Sequence, residues 1–371
     1  MKISRRSFSK GLVGSICGFS CSSSFAAAVA DDPTIKELLK PVLAKYDLPA
    51  LSAAIVTSQG LKKAAVVGVR KSRTNVEATI DDLWHLGSDT KAMTASLMAM
   101  LVEERKLQWS DSLAGVLPEI SELRNSLLGK VMVKQLLHHS AGLKKDAIDW
   151  WAFAKKGGSV RKQRLEVLRE AARTPLSHDP FLYSNVGYVL AGSVIEKLSG
   201  MDWEHMMRDR LFKPLNMTTA GFGGVGTLGK MDQPWPHGAN GMPMPQNGPL
   251  TDNAQVMGPA ATVHASLNDW AIFIADHLKG ARGESALLKP ESYKALHTPE
   301  PLDYAKGWLV AQRPWAGGTV LTHSGDNSMN HCTVWIAPAK GFATLVCTNR
   351  GAQEKAADEV TGLLIQECLK M

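Results

Sequence analysis

Extended, aliphatic and β-branched runs occupy the two ends of this chain and are nearly missing from its middle. Leu51 to Thr57 and Ala64 to Val69 flank the hairpin signal Ser58-Gln59-Gly60 near the start. Gly307 to Val310, Val320 to His323, Thr333 to Ile336 and Ala343 to Cys347 lie near the end, with Pro338-Ala339-Lys340-Gly341 as a turn. From Asp146 to about Met217 the pattern is helical, broken by Pro175, Pro180, Gly200 and Pro214. Runs linked by short turns pair antiparallel, so strands from both ends predict one shared sheet, with the middle of the chain inserted into it. The expected fold class is α+β: an antiparallel sheet built from both termini, flanked by helices, plus a mostly helical lobe. The boundaries expected are about 31–95 and 265–371 for the sheet lobe and about 96–264 for the helical lobe.

Three further helices frame the sheet. Pro33 to Tyr46 carries an apolar stripe through Ile35, Leu38, Leu39, Val42 and Leu43. Ser266 caps a helix reaching Lys279, and Gln353 to Leu369 closes the chain. A short helix is expected from Val131 to His138, closed by His139-Ser140-Ala141-Gly142, and Trp109 to Ile120 reads as a connection. Residues 218–259 mix Gly, Pro, Asn and Met without periodicity, which predicts long ordered loops over a site.

The N-terminus joins Arg5-Arg6 to an uncharged stretch ending Ala28-Val29-Ala30, the pattern of a twin-arginine export signal over residues 1–30. A periplasmic or secreted location follows, with no stable membrane span after cleavage. Removing Lys2, Arg5, Arg6 and Lys10 lowers the formal net charge from +7 to +3, so charge gives no case for nucleic acid. Cys332, Cys347 and Cys368 remain, too few for a disulfide scaffold.

Chemistry concentrates at Leu83 to Gln108. Gly87 interrupts an extended run, and the Ala-, Leu- and Met-rich sequence after it is helical, which puts Ser88 at a helix start with Lys91 on the same face. The unpaired N–H groups of a first turn favour a neutral Lys91 amine, able to take the Ser88 proton, and stabilise negative charge beside the Ser88 N–H. Ser-x-x-Lys also occurs at Ser7/Lys10 and Ser159/Lys162, in the export segment and in a charged surface stretch. Only Ser88 has the setting for catalysis.

Two partners complete the set. Tyr183-Ser184-Asn185 stands at the mouth of a helix after Pro180, where Tyr183 presents a hydroxyl and Asn185 fixes Lys91 or a substrate amide. His323-Ser324-Gly325 stands at the end of a predicted strand, and Gly325 lets a ligand approach, making the Asp326 N–H a second oxyanion donor. Trp84 and His85 are read as strand-end packing.

With these motifs in this order, the chain resembles the penicillin-recognising serine hydrolases, in the branch holding class C β-lactamases, D-alanyl-D-alanine carboxypeptidases and related esterases. Leu86-Gly87-Ser88-Asp89-Thr90-Lys91, Leu136 to Leu143, Tyr183 to Tyr188 and His323-Ser324-Gly325 carry the resemblance over nearly all of the mature chain. It implies a β-lactamase/transpeptidase-like fold, acylation of Ser88, proton transfer shared by Lys91 and Tyr183, and acyl-amide positioning by Asn185. It also implies an oxyanion hole from the Ser88 and Asp326 N–H groups, followed by deacylation by water. Class C β-lactamases carry Lys-Thr-Gly where this chain has His323-Ser324-Gly325, and relatives with the His form often place glycine where this chain has Met329. The expected activity is therefore an esterase or D-Ala-D-Ala-type carboxypeptidase or amidase acting on a small-molecule or peptide acyl substrate, peptidoglycan fragments included. A β-lactamase, or a noncatalytic peptidoglycan or partner binder, is the alternative.

No cofactor or metal is called for. Gly224 to Lys230 matches a phosphate cradle, but Met231 replaces the metal-binding Ser or Thr and Pro234 breaks the chain. The histidines lack metal-ligand spacing, and Gly-x-Ser-x-Gly is missing from the sequence.

Overall fold

The computed structural model describes residues 31–145, 147–246, 251–300 and 302–371. The expected export segment, 1–30, lies outside them. The strands are β1 (Ala50–Thr57), β2 (Gly60–Gly68), β3 (Leu83–His85), β4 (Gly221–Phe222), β5 (Val263–Ser266), β6 (Leu309–Arg313), β7 (Gly318–Asp326), β8 (His331–Ala337) and β9 (Phe342–Thr348). Six of them form one sheet in the order β2-β1-β9-β8-β7-β6, every neighbouring pair antiparallel. The start and end of the chain meet at β1 and β9, where Ala53 faces Val346 in register.

Alternation along β1 sorts its side chains between two apolar layers. Leu51, Ala53 and Ile55 pack with Ile35, Leu39 and Val42 of helix Pro33–Lys45 and with Val360 and Leu364 of helix Glu354–Cys368. Ala50, Ala54 and Val56 face the larger core, which runs through helix Leu267–Gly280 into the helical part of the chain. Ser266 caps that helix by accepting from the Asp269 N–H at 3.2 Å.

The deepest element is helix Thr90–Glu103. Every residue from Thr90 to Leu101 is buried, polar Thr90, Lys91, Thr94 and Ser96 included, so the helix is enclosed on all sides. It packs against helix Asn185–Ser199, while helix Val160–Arg173 covers the far side of the latter. Arg164, fully buried, joins these layers by ion pairs with Glu196 and Glu204 and a 3.2 Å bond to the Val256 carbonyl.

Several local expectations are corrected. Ser88 does not begin the α-helix: Gly87–Asp89 forms a 3-10 turn, and the helix starts at Thr90. The strand expected at Gly307 to Val310 begins at Leu309, because Gly307 (φ +89°) turns across the nucleophile helix, where an added Cβ would stand 2.6 Å from the Ala92 backbone nitrogen. β7 continues to Asp326, beyond the expected last residue His323, so His323-Ser324-Gly325 forms the C-terminal end of the strand itself. The supposedly helical stretch 146–217 contains an irregular segment between Arg173 and Asn185, which carries Tyr183. A second sheet, β3-β5-β4, was not expected, its strands being too short to show a period.

Candidate active site

Ser88 is half-exposed on its 3-10 turn, held between a buried helix and a strand edge. Gly87 adopts φ +50° immediately before it, and a Cβ on Gly87 would stand 2.7 Å from the Asp326 nitrogen. Gly325 is equally constrained: a Cβ there would come within 1.9 Å of the Leu86 carbonyl oxygen and 2.9 Å of the Ser88 nitrogen. Two glycines thus let β7 lie directly against the Ser88 turn, bringing the Ser88 and Asp326 backbone amides to the same edge.

Lys91 is fully buried beneath this edge. Its Nζ donates to Asn185 Oδ1 at 2.7 Å and to the Ala260 carbonyl at 3.0 Å, and lies 2.9 Å from Ser88 Oγ. That set suits a neutral amine, whose two N–H bonds meet the two carbonyl oxygens while the lone pair meets the serine hydroxyl. Burial lowers the Lys91 pKa to about 7, with the Asp89 carboxyl working in the opposite direction. Burial pushes the Tyr183 phenol above its usual pKa, with the neighbouring Ser88 hydroxyl pulling the other way. Lys91 Nζ also lies 4.9 Å from the Tyr183 ring centroid. Ser88, Lys91, Tyr183 and Asn185, distant in sequence, therefore converge around one hydroxyl.

His139 holds the Tyr-x-Asn segment in place. Its carbonyl accepts from the Leu182 N–H at 2.8 Å and its Nδ1 from the Ser184 N–H at 3.2 Å, while its ring lies 4.2 Å from that of Tyr183. The backbone of His139 is left-handed at φ +57°, a conformation that costs a β-carbon residue energy and marks a constrained position. Sequence reading placed this histidine only in the stretch that closes the Val131 to His138 helix. Its signal was the placement of a His before Ser-Ala-Gly at a helix end.

On β7, His323 is buried and turned inward. Its Nε2 meets the Tyr304 hydroxyl at 3.0 Å and its Nδ1 lies 3.5 Å from Asp89 Oδ1. Burial, reinforced by the nearby Lys91, lowers its pKa to about 3. Ser324 is exposed and shares a 3.0 Å bond with the Thr333 hydroxyl. The Asp326 side chain turns from the Ser88 edge: it contacts His331 Nδ1 at 3.1 Å and accepts from the Ala352 N–H at 2.7 Å. The exposed edge of β7 thus carries neutral groups and one carboxylate.

His85 is the other functional neighbour that sequence reading underrated. It is buried at the end of β3, as strand-end packing requires, but its Nδ1 accepts from the Gly87 N–H at 3.2 Å. A cavity of about 830 Å³ opens beside Asp252, Asn253, Phe222 and Arg208, and Ser88 is not among its lining residues. Among the described residues, Asp326, His331 and Glu354 bring ligand-type atoms within 4.8 Å of one another. Both His331 ring nitrogens already have partners there, in Asp326 and Thr333.

Known proteins share both sequence and fold with this chain. An unguisins hydrolase of Aspergillus campestris is 23% identical over 334 residues, which covers 86% of this chain and 61% of that protein. The chain thus spans about three fifths of the length of curated relatives that it matches over most of its own length. A β-lactamase from Sulfitobacter sp. EE-36 superposes with a TM-score of 0.72 at 19% identity, covering 91% of this chain and 97% of that one. A D-alanine carboxypeptidase AmpC from Burkholderia cenocepacia gives 0.69 at 20% identity, covering 89% and 98%. At these identities the superpositions establish the expected β-lactamase/transpeptidase-like α+β fold. A family model described as Beta-lactamase matches residues 35–367, and with that match over most of its length the chain belongs to the Beta-lactamase family.

Proposed function

We propose that this protein is a serine hydrolase that works through an acyl-enzyme on Ser88, an exported esterase or a D-Ala-D-Ala-type carboxypeptidase or amidase. The observation that carries the reading is the buried Lys91 amine, 2.9 Å from Ser88 Oγ and satisfied on its other side by Asn185 and Ala260.

In this mechanism Lys91, near neutrality at physiological pH, takes the Ser88 proton as Oγ attacks the acyl carbon. Negative charge develops on the carbonyl oxygen, where the Ser88 and Asp326 N–H groups receive it; one such donor is worth on the order of 10²–10³ in rate. Tyr183, whose hydroxyl stays protonated, passes a proton to the departing oxygen or nitrogen and is restored from Lys91. Asn185 keeps Lys91 aligned and meets the acyl amide of the substrate. Water then attacks the acyl-enzyme by the same proton path in reverse.

The inward-turned, neutral His323 offers no cation to a leaving-side carboxylate, which favours the esterase and amidase readings over both carboxypeptidase action and β-lactam hydrolysis. The unguisins hydrolase among the relatives agrees with a hydrolytic reaction. Export to the periplasm or beyond rests on the Arg5-Arg6 segment and is part of the same proposal.

Mass spectrometry after exposure to a fluorophosphonate tests it: one adduct on Ser88, missing in Ser88→Ala, is expected, and an unlabelled Ser88 overturns the reading. Rates on short-chain p-nitrophenyl esters, D-Ala-D-Ala peptides and a chromogenic cephalosporin then rank the substrates, with the cephalosporin expected to be the slowest.

A further inference from the structure

Ser88 and Asp326 lie on different parts of the chain, yet the donors proposed to receive the oxyanion must keep a fixed separation. Nothing in either segment alone supplies that. The Ser88 turn is held by His85, whose Nδ1 accepts from the Gly87 N–H at 3.2 Å. That bond requires the ring's proton to be on Nε2, and Nε2 lies in close contact with Asp252 Oδ1 at 2.8 Å, without hydrogen-bond alignment. The Asp326 side is held by the next residue, Asn327, whose Nδ2 donates to the same Asp252 Oδ1 at 3.2 Å. The Asn253 N–H reaches that oxygen too, at 2.7 Å. One carboxylate oxygen therefore fastens both segments that carry the amides. His85 and Asn327 are buried, while the Asp252 side chain is 13% exposed at the wall of the 830 Å³ cavity.

We infer that Asp252, through His85 and Asn327, is a positioning residue that sets the distance between the two oxyanion donors. The inference rests on the acyl-Ser88 reading. Asp252 does not contact Ser88; it acts by holding His85 and the start of the loop after β7. Small displacements matter here, because misplacing a group by about 1 Å can cost about 100-fold in rate.

The test is Asp252→Ala against Asp252→Asn, with kcat taken per active site titrated by the fluorophosphonate, so that misfolded protein is not counted. Asp252→Ala is expected to lower kcat per site tenfold or more on a p-nitrophenyl ester with KM within twofold. Asp252→Asn should restore most of the loss, since the two hydrogen bonds and the His85 contact all end on Oδ1, which asparagine keeps. Asn327→Ala should be weaker alone and add little on top of Asp252→Ala, because both cut the same tie. A residue needed only for folding would reduce the number of titratable sites and leave kcat per site unchanged, and that result overturns the inference. An unlabelled Ser88 in the parent protein overturns this inference and the acyl-enzyme together, whereas a labelled Ser88 with full kcat in Asp252→Ala overturns this one alone.

Discussion

Asp89 Oδ1 and His323 Nδ1 face each other at 3.5 Å in a sealed wall behind the nucleophile, and neither Asp89 oxygen has a conventional hydrogen bond. A buried carboxylate with no donors is costly, so burial raises the Asp89 pKa well above the usual value, opposed only by Lys91. Burial thus pushes both the acid and the imidazole facing it toward their neutral forms. Lys91, its pKa lowered to about 7, exchanges a proton near neutrality.

The stability consequence has a definite sign. Asp89 retains its proton in the fold at pH values where the unfolded chain has released it, so the folded state binds more protons and stability falls as pH rises above about 4. His323 acts oppositely, because its lowered pKa makes stability rise between about pH 3 and its ordinary value of 6.5. Asp89→Asn removes the first effect and leaves the second. Its stability relative to the parent should therefore climb with pH above about 4, by at most about 1.4 kcal/mol per pH unit. Urea unfolding of both proteins at pH 4, 5, 6 and 7 measures it, and parallel curves would contradict a protonated Asp89.

Lys91 gives the pH dependence of activity. With its pKa lowered to about 7, kcat/KM should rise through about pH 7 as the amine loses its proton. The same lowering makes stability increase from about pH 7 toward 10.5, so unfolding does not produce that limb. Lys91→Ala should lose on the order of 10²-fold or more, along with the limb. Tyr183→Phe should lose a similar factor but keep the limb, since the amine remains. Full activity in Tyr183→Phe would remove the phenol from the mechanism.

The sheet was legible because β1 and β7 to β9 are long enough to show their period and are bounded by turn residues. The Ser88 to Lys91 contact was legible because spacing of three on a helical turn fixes it locally. His85, His139 and Asp252 were not. Each acts through a backbone amide or a neighbour far away in sequence, and a lone His or Asp in an aperiodic loop carries no pattern. The inward turn of His323 was equally hidden, because strand alternation gives the face of a residue but not what stands opposite it. Asp89 and Tyr304 supply those partners from positions 234 before and 19 before it.

Substrate charge follows from that inward turn. With His323 buried and neutral, its Nε2 on the Tyr304 hydroxyl, and the Asp326 carboxylate further along β7, an acyl compound whose leaving side is an ester or amide should outperform its free-carboxylate counterpart. An acyl-D-Ala-D-Ala peptide and its C-terminal amide make the comparison, with kcat/KM expected to be tenfold or more in favour of the amide. His323→Lys should narrow or reverse that ratio by adding a cation at the wall. A parent enzyme that prefers the carboxylate would contradict the electrostatic argument.

Gly325 offers the sharpest test of the packing between β7 and the nucleophile turn. The Cβ introduced by Gly325→Ala would stand 1.9 Å from the Leu86 carbonyl and 2.9 Å from the Ser88 nitrogen, contacts that no side-chain rotation can relieve because both partners are backbone. The turn is pinned from behind by the Leu86 N–H bond to the Val263 carbonyl at 2.8 Å, and β7 is pinned by its pairing with β8. Whichever element yields, the Ser88 and Asp326 amides separate. Loss of one oxyanion donor costs on the order of 10²–10³ in kcat, and forced overpacking about 1–3 kcal/mol of stability. Gly325→Ala should therefore fold, melt several degrees lower, and turn over at least 10²-fold more slowly. Slow but complete fluorophosphonate labelling of Ser88 would show that the nucleophile and Lys91 survive while the anion site does not. Parent-like kcat in a folded Gly325→Ala would mean that the two amides do not act together on the substrate oxygen.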